Sequence, residues 1–281
     1  MSEKILSGKV REVYDAGQGR LFIVATDRIS AFDVVYPTLV PRKGEVLNGL
    51  SLFWFEKTRD IVENHVISAD SGDFPPELRK PEYAGRAMLA RKLKMLPYEF
   101  IVRGYLFGAM WEGYKKNGEF FGYAPPLGLE LAQKLEKPVL TPSLKVSEGH
   151  DEYISVKRLK DELGGEMSAR LEEICIALYE RCAGMAERRG IIIADTKFEF
   201  GLSEEGRLVL ADELFTPDSS RFWDAAEYKT GQSPKSFDKQ FLRDWLTREG
   251  LAGVCPPPPV PDDIVSATAE LYQKCYERLA R

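Results

Sequence analysis

The segment 193–201 constrains the fold more than any other part of the chain. Asp195, Lys197 and Glu199 alternate there with small or apolar side chains. A period of two is the spacing of a β-strand, in which every second side chain points to the same face. The segment is therefore predicted to be a strand with three charges on one face and a mostly apolar opposite face.

A second β-type run at 208–214 follows the turn residues 203–206, so the two runs are predicted to pair as an antiparallel hairpin. If the turn centres on residues 204 and 205, the numbers of facing positions sum to 409. Asp212 then lies opposite Lys197, on the same face as the other charges. Three carboxylates and one lysine would converge there.

Two interpretations of this charged face are open. It is either a solvent-facing strand with surface ion pairs or a buried site, and the flanking apolar runs 191–193 and 208–210 favour burial. Buried acids need a cation, and oxygen ligands favour a hard ion such as Mg²⁺. Because Mg²⁺ usually completes its ligand shell with water and substrate phosphates, the pattern indicates a nucleotide site.

The rest of the chain mixes strand pairs with separate helices, which predicts an α+β fold. A first hairpin is expected at 9–14 and 21–26, two further strands at 87–93 and 99–106, and helices at 47–62, 168–189, 238–248 and 262–279. The segment 115–155 is rich in Gly and Pro and is predicted to be an extended loop.

Composition excludes several classes of protein. Among 281 residues, 44 Asp and Glu outnumber 39 Lys and Arg, so nucleic acid is not expected as the main partner. No apolar run approaches the roughly 18 residues of a spanning helix, the first residues lack an apolar signal region, and the four cysteines form no C-x-x-C pair. We therefore expect a cytoplasmic protein without a membrane or zinc site.

Three further groups of residues could bind phosphate. Gly8, Lys9 and Arg11 open the first hairpin, Arg103 lies at a strand end beside glycines, and the hydroxyl-rich turn 216–221 ends in an arginine. Arginine forms forked, charge-assisted hydrogen bonds to phosphate. The alternative is that these are solvated surface charges and ordinary turns. The G-x-x-x-x-G-K-[ST] motif does not occur, so any bound ATP is not held by a P-loop.

Taken together, these residues resemble the SAICAR synthetase family over almost the whole chain. The segments that carry the resemblance are GKVREVY at 8–14, ATDRISAFD at 25–33, PYEFIVRGY at 97–105, TPS at 141–143, IIADTKFEFG at 192–201, TPDSSRFW at 216–223 and SFDKQFLRDW at 236–245.

The resemblance implies an ATP-dependent ligase of purine synthesis. Such an enzyme joins L-aspartate to the carboxylate of carboxyaminoimidazole ribonucleotide (CAIR), releasing ADP and phosphate. The implied fold has two α+β lobes with ATP in the cleft, reminiscent of kinases and ATP-grasp proteins. The expected division is a β-rich ATP-binding lobe at 1–95 and a lobe at 96–281 that carries the metal and ribonucleotide sites. The partners are small molecules, and the oligomeric state is open.

The resemblance also implies roles for individual residues. The expected catalytic residues are Lys197, Asp195 and Arg221. The expected ATP contacts are Lys9, Arg11, Met95, Glu99 and Lys197, and the expected ligands of Mg²⁺ are Glu199 and Asp212. The expected substrate contacts are Asp27, Arg28, Ser30, Asp33, Arg103, Lys145, His150, Asp151, Ser219, Ser220 and Arg221.

The chain departs from the family pattern near the acceptor. It has Phe107, Ala109, Leu144 and Tyr153 where the family usually has Thr, Ser, Thr and Asn, so hydroxyl groups are lost beside the expected phosphate clamp. A paralogue with another carboxylate or amine substrate is therefore a second hypothesis. A small-molecule kinase and a nucleotide-binding protein without turnover are further alternatives, although the kinase elements H-R-D and D-F-G do not occur.

Overall fold

The computed structural model describes residues 3–146 and 151–281. The strands are β1 Lys4–Ser7, β2 Arg11–Gly17, β3 Arg20–Ala25, β4 Arg28–Ala31, β5 Val34–Leu39, β6 Val66–Ser68, β7 Ala87–Arg91, β8 Lys94–Met95, β9 Tyr98–Tyr105, β10 Lys134–Leu144, β11 Glu152–Tyr153, β12 Ile191–Leu202, β13 Leu208–Ala211 and β14 Ser220–Asp224. The α-helices are α1 Lys43–Lys57, α2 Ala109–Asn117, α3 Val156–Leu163, α4 Gly165–Glu187, α5 Gln240–Arg248 and α6 Asp262–Ala280.

The strands form two larger antiparallel sheets and a two-stranded ribbon. The first sheet has the order β1-β2-β3-β7-β6, and the second has the order β11-β10-β9-β12-β13, with β8 and β14 also paired to β12. The ribbon joins β4 and β5. Helices and antiparallel sheets occur together, so the predicted α+β class is confirmed. The boundary between lobes at residues 95 and 96 stays a prediction.

The long strand β12 organises the second sheet. It pairs with β14 along its first half, with β9 in its middle and with β13 and β8 along its second half. Partners on both edges satisfy its backbone hydrogen bonds, so the strand can be buried along almost its whole length. The side chains that alternate along it are therefore held on a rigid central element.

The predicted first hairpin is confirmed as β2 and β3, whose register pairs Val13 with Ile23. Helix α1 begins and ends four to five residues earlier than the spacing predicted. Its first turn is fixed by Asp27, whose carboxylate accepts a hydrogen bond from the Gly44 amide at 2.9 Å. At its end, the Thr58 hydroxyl donates to the Trp54 carbonyl at 2.8 Å.

The prediction of an extended loop at 115–155 is wrong. The eleven-residue strand β10 crosses this segment and pairs with β9 and β11. Two prolines obscured the strand. Pro138 lies in an irregularity of the register between Lys134 and Val139, and the Pro142 carbonyl accepts the Ile154 amide at 3.0 Å. A strand tolerates proline where the ladder is irregular.

The main core lies between the second sheet and the helices α1, α4 and α6. Its largest buried side chains include Trp54, Phe100, Phe198 and Phe215. The predicted helices at 168–189, 238–248 and 262–279 are present as α4, α5 and α6. Among the described residues, every helix is too short or too polar to cross a membrane.

The buried His65 predicts a specific pH dependence of stability. Burial lowers its pKa to about 3, and Arg11 and Arg91 add to that shift. Between pH 6.5 and 3 the unfolded chain then binds a proton that the native chain does not, so stability falls as the pH falls. We expect the difference in unfolding free energy between the wild type and His65→Gln to change by about 2 kcal/mol from pH 7 to pH 5 in urea titrations. An equal difference at both values would contradict this.

Candidate active site

The charged face of β12 contains a lysine between acids. The Lys197 ammonium donates to Glu99 Oε1 at 2.6 Å and to Glu199 Oε1 at 3.2 Å. Glu99 comes from β9, which pairs with β12 next to this position. Glu199 also accepts a hydrogen bond from Lys145. Lys197 and Glu199 lie together as predicted, Glu99 joins them, and both glutamates are buried, whereas Asp195 pairs with two arginines instead.

Asp212 reaches this face by a different route from the predicted one. Phe200 faces Leu210, so facing positions sum to 410 rather than 409, and the register prediction is wrong by one residue. By strand alternation alone Asp212 would then lie on the apolar face. Instead, β13 ends at Ala211, and Asp212 takes a left-handed backbone conformation with φ 66°. The carboxylate consequently lies beside Arg11, with Oδ1 2.8 Å from Nη1.

The two acids differ in their electrostatics. Burial works against the charge of Glu199, but Lys197 and Lys145 outweigh it and lower its pKa to about 2. Burial raises the pKa of Asp212 to about 6; Arg11 opposes the shift, and Glu199 and Glu213 add to it. Burial likewise opposes the charge of Lys197, but its acidic neighbours raise its pKa. Two mutually repelling acids would be stabilised by one more cation.

These acids fit Mg²⁺ only as part of a larger ligand set. Within residues 3–146 and 151–281, no group of three His, Cys, Asp or Glu side chains could hold a metal ion. Glu199 and Asp212 offer carboxylate oxygens, which suit a hard cation. Mg²⁺ commonly binds through one or two carboxylates together with substrate phosphates. The donor set therefore fits a metal that arrives with a nucleotide.

A cavity of about 630 Å³ opens onto these acids. Four cations line the cavity together with the acids: Lys9, Arg11, Lys145 and Lys197. Gly8 also borders the cavity. Lys9 forms an ion pair with Asp33 across the mouth of the cavity. The cavity also includes the predicted residues Ser30, Asp151 and Ser219. Most residues expected at a nucleotide are thus brought together.

Two arginines share one carboxylate in an adjoining cavity of about 170 Å³. Asp195 of β12 pairs across the sheet with Arg103 of β9 and with Arg221 of β14. Asp195 Oδ2 accepts from both guanidinium groups, at 3.2 Å for Arg103 Nη1. Arg103 Nε also donates to Thr141 Oγ1 at 2.9 Å. Asp195 is thus shared between two guanidinium groups, Asp238 also acts electrostatically on Arg221, and the remaining arginine donors can bind an anion.

The residues that depart from the family pattern contact these arginines. The Arg221 Cζ atom lies 5.4 Å from the Phe107 ring centre, and Arg103 Cζ lies 5.7 Å from that of Tyr153. Arg103 Nη2 also lies 3.4 Å from the Tyr153 hydroxyl. Aromatic rings attract cations and restrict their orientation. A ring therefore replaces the family's hydroxyl group at position 107 and its amide at position 153, and each ring lies against a guanidinium group.

Gly108 permits a close approach of Arg221. A Cβ atom at this position would lie 2.7 Å from Arg221 Nη2, and the backbone has φ 58°. A side chain here would displace the guanidinium group and strain the backbone. Gly108, Ala109 and Arg221 all border a third cavity, of about 1050 Å³.

Some predicted residues lie elsewhere. Asp27 caps α1 and pairs with Arg86, while Arg28 pairs with Glu12 and donates to the Gly8 carbonyl. Met95 is half exposed in β8, and none of the three borders the described cavities. Ser220 borders the cavity with the arginines. His150 falls outside the described residues. The ligand contacts of these five residues, like those of all the expected site residues, stay predictions.

The structure also adds two cations that the sequence analysis did not single out. Lys239 borders the first two cavities, and Arg243 borders all three. Both belong to the segment 236–245 that contributed to the family resemblance. Their spacing of four on a predicted helix was the available signal, because residues four apart lie on the same helix face.

A cleft with a lysine between acids and a pair of arginines defines a class of enzyme that handles phosphorylated substrates. The family model described as SAICAR synthetase matches residues 4–257. The chain belongs to the SAICAR synthetase family.

Curated relatives and solved structures agree over nearly the whole chain. Phosphoribosylaminoimidazole-succinocarboxamide synthase from Syntrophobacter fumaroxidans is 50% identical, over 97% of this chain and 91% of the relative. The protein of the same name from Chromobacterium violaceum is 47% identical over 99% and 98%. SAICAR synthase from Saccharomyces cerevisiae, solved in complex with SAICAR, is 43% identical with a TM-score of 0.90, over 99% and 94%.

Asp195 should be essential for the stability of the arginine pair. Asp195→Asn keeps the shape of the side chain but removes the charged carboxylate that both arginines bond, and Arg103 is almost fully buried. We expect a loss of about 3–5 kcal/mol in unfolding free energy, measured by urea titration. The matched control Asp60→Asn breaks an exposed ion pair with Arg181 and should cost less than about 1 kcal/mol. Equal losses would contradict the central role of Asp195.

Proposed function

We propose that this protein is an ATP-dependent ligase that couples L-aspartate to the carboxylate of CAIR, giving SAICAR, ADP and phosphate. The names of its relatives support the reaction, as does the complex of the yeast relative with SAICAR. A SAICAR synthetase that is 25% identical with a TM-score of 0.73 was solved with ADP. The observation that carries the proposal is the placement of the acid–lysine cluster and the arginine pair in adjoining cavities.

The chemistry requires activation of the acceptor carboxylate. A carboxylate is a poor electrophile, and an amine does not displace oxide from it. Transfer of the γ-phosphoryl group from ATP to a carboxylate oxygen gives an acyl phosphate and ADP. The aspartate amine then forms the C–N bond, the acyl C–O bond breaks and phosphate leaves with the electron pair of that bond. Catalysis of phosphoryl transfer is mainly positioning and charge stabilisation.

We assign the nucleotide to the cavity that contains Lys9, Arg11 and Lys197. Lys9 and Arg11 would contact the ATP phosphates, and Lys197 would balance charge on the transferred phosphoryl group. Glu99 would hold the Lys197 ammonium in place through their 2.6 Å hydrogen bond. Met95 would contact the adenine where the chain passes between the two predicted lobes. Mg²⁺ held by Glu199 and Asp212 would offset negative charge on the triphosphate when bound.

We assign the ribonucleotide to the adjoining arginine cavity. Arg103 and Arg221 would bind its phosphate, with hydroxyl donors from Ser219 and Ser220. Asp195 would keep both guanidinium groups in place by bonding each of them. The substrate contacts of Asp27, Arg28, Ser30, Asp33, Lys145, His150 and Asp151 are also part of the proposal. A cytoplasmic location is consistent with a biosynthetic role for the relatives.

Product analysis tests the reaction directly. Incubation with ATP, Mg²⁺, aspartate and CAIR should yield SAICAR and ADP in equal amounts, detected by chromatography and mass spectrometry. ADP without SAICAR would reject the ligase and favour the paralogue with another carboxylate or amine. A phosphorylated CAIR that accumulates as the final product would favour a small-molecule kinase.

The two proposed metal ligands give a second test. Glu199→Gln and Asp212→Asn should each lower kcat by at least about 100-fold, because each removes negative charge from the proposed metal site. Their circular dichroism spectra should remain those of the wild type. Glu205 is exposed in the turn of the same hairpin, so the control variant Glu205→Gln should leave kcat unchanged. Near-normal rates for both variants would reject the metal assignment.

A further inference from the structure

Lys239 and Arg243 form a cationic pair on the side of the cleft made by α5. Lys239 immediately precedes the helix in a helical conformation, so its side chain and that of Arg243 lie on one face. Lys239 borders the proposed nucleotide and arginine cavities, and Arg243 borders both of these and the third cavity. The pair therefore stands where the three cavities meet.

The Lys239 ammonium forms an ion pair with Asp218 but has no hydrogen-bonded acceptor among the described residues. The residue is 9% exposed, and its nearest carboxylate oxygen, Asp218 Oδ1, lies 3.7 Å from Nζ, which is too far for a hydrogen bond. Asp218 is shared with other donors, because Lys43 donates to Oδ2 and Tyr272 to Oδ1, each at 2.7 Å. The three N–H donors of Lys239 are therefore available to an anionic ligand in the cleft.

Arg243 also has no side-chain hydrogen bond or ion pair within the described part of the chain. The nearby Asp238 acts on Arg243 electrostatically without a hydrogen bond between them, and its two oxygens accept the backbone amides of Phe222 and Gln240, each at 2.7 Å. Burial lowers the pKa of Lys239 to about 8; Asp218 opposes the shift, and Lys43 and Arg243 add to it. Both cations thus have side-chain donors that no described residue uses at this junction.

The other anions of the reaction already have candidate partners. Lys9 and Arg11 face the ATP phosphates in the proposal above, and Arg103 and Arg221 face the ribonucleotide phosphate from β9 and β14. The remaining substrate must carry negative charge and present an amine to the activated carboxylate between those sites. Aspartate has two carboxylates, and its amine has to be held within bonding reach of the acyl carbon.

We propose that Lys239 and Arg243 bind the two carboxylates of the aspartate substrate at the junction of the nucleotide and ribonucleotide cavities. The assignment rests on the ligase function proposed above. It makes both residues substrate-binding groups that hold the amino acid from α5, opposite the arginine pair on the sheet. The amine is then directed towards the acyl phosphate and away from the helix.

Steady-state kinetics test the proposal. In Lys239→Gln and Arg243→Gln, each loss of a charge-assisted hydrogen bond should raise the KM for aspartate about 10- to 100-fold. The KM values for ATP and CAIR should stay within about threefold of the wild type. The matched control Arg248→Gln lies at the end of the same helix, where the arginine pairs with Glu249, and should leave all three values unchanged.

Specificity gives a readout that a purely structural role would not change. The wild type should prefer aspartate over asparagine. Whichever of Lys239 and Arg243 binds the β-carboxylate, the variant that lacks it should show an aspartate-to-asparagine ratio of kcat/KM at least tenfold lower. Lys239→Arg retains the charge and should recover most of the aspartate affinity. Arg243 is only partly buried, so Arg243→Gln alone tests the proposal if Lys239→Gln fails to fold.

The results separate this proposal from the proposed function. If the wild type forms no SAICAR, the ligase function is rejected. If SAICAR forms but the KM for aspartate is unchanged in both variants, only the aspartate site is rejected. An increase in the KM for CAIR, with that for aspartate unchanged, would assign the pair to the ribonucleotide phosphate and overturn the proposal.

Discussion

The buried charges of β12 are the constraint on which the site depends. Asp195, Lys197 and Glu199 occupy every second position of a central strand, so all three are carried into a region with little solvent. Charges in such a place are tolerated only with partners. Neighbouring strands supply them, because Arg103, Glu99 and Arg221 lie beside the corresponding acids and lysine. Strand pairing therefore sets the electrostatics as well as the shape of the cleft.

The pairing within the protein is incomplete in a way that suits its substrates. Glu199 and Asp212 repel each other electrostatically, so a cation between them would be stabilised. Arg103 and Arg221 share the carboxylate of Asp195, so an anion beside them would be stabilised. Lys239 and Arg243 add positive charge between these places. A nucleotide with its metal, a ribonucleotide phosphate and a dicarboxylate amino acid would complete all three. Substrate binding would thus balance charges that the fold leaves unbalanced.

Local patterns predicted much of the fold but not its finer geometry. The hairpins and long helices followed from periodicity, because alternation and helical spacing are properties of consecutive residues. Strand β10 was missed because Pro138 and Pro142 are normally signs of a loop. Pro138 lies where the register with β9 is irregular, whereas Pro142 lies in the regular part, opposite Phe100. The aromatic rings of Phe107 and Tyr153 were recognised as departures, but their contacts with Arg221 and Arg103 were not visible in the sequence.

The sequence by itself determined the alternating charges of β12, the acidic and basic side chains available to the site and the family resemblance that named their roles. Only the tertiary structure decided how Asp212 joins them: a one-residue change of register moves it to the wrong face, and a left-handed backbone turn returns it. It likewise decided that Lys239 and Arg243 meet the cleft. Both results depend on how distant segments close on one another, and that closure depends on packing across the whole chain rather than on the order of neighbouring residues.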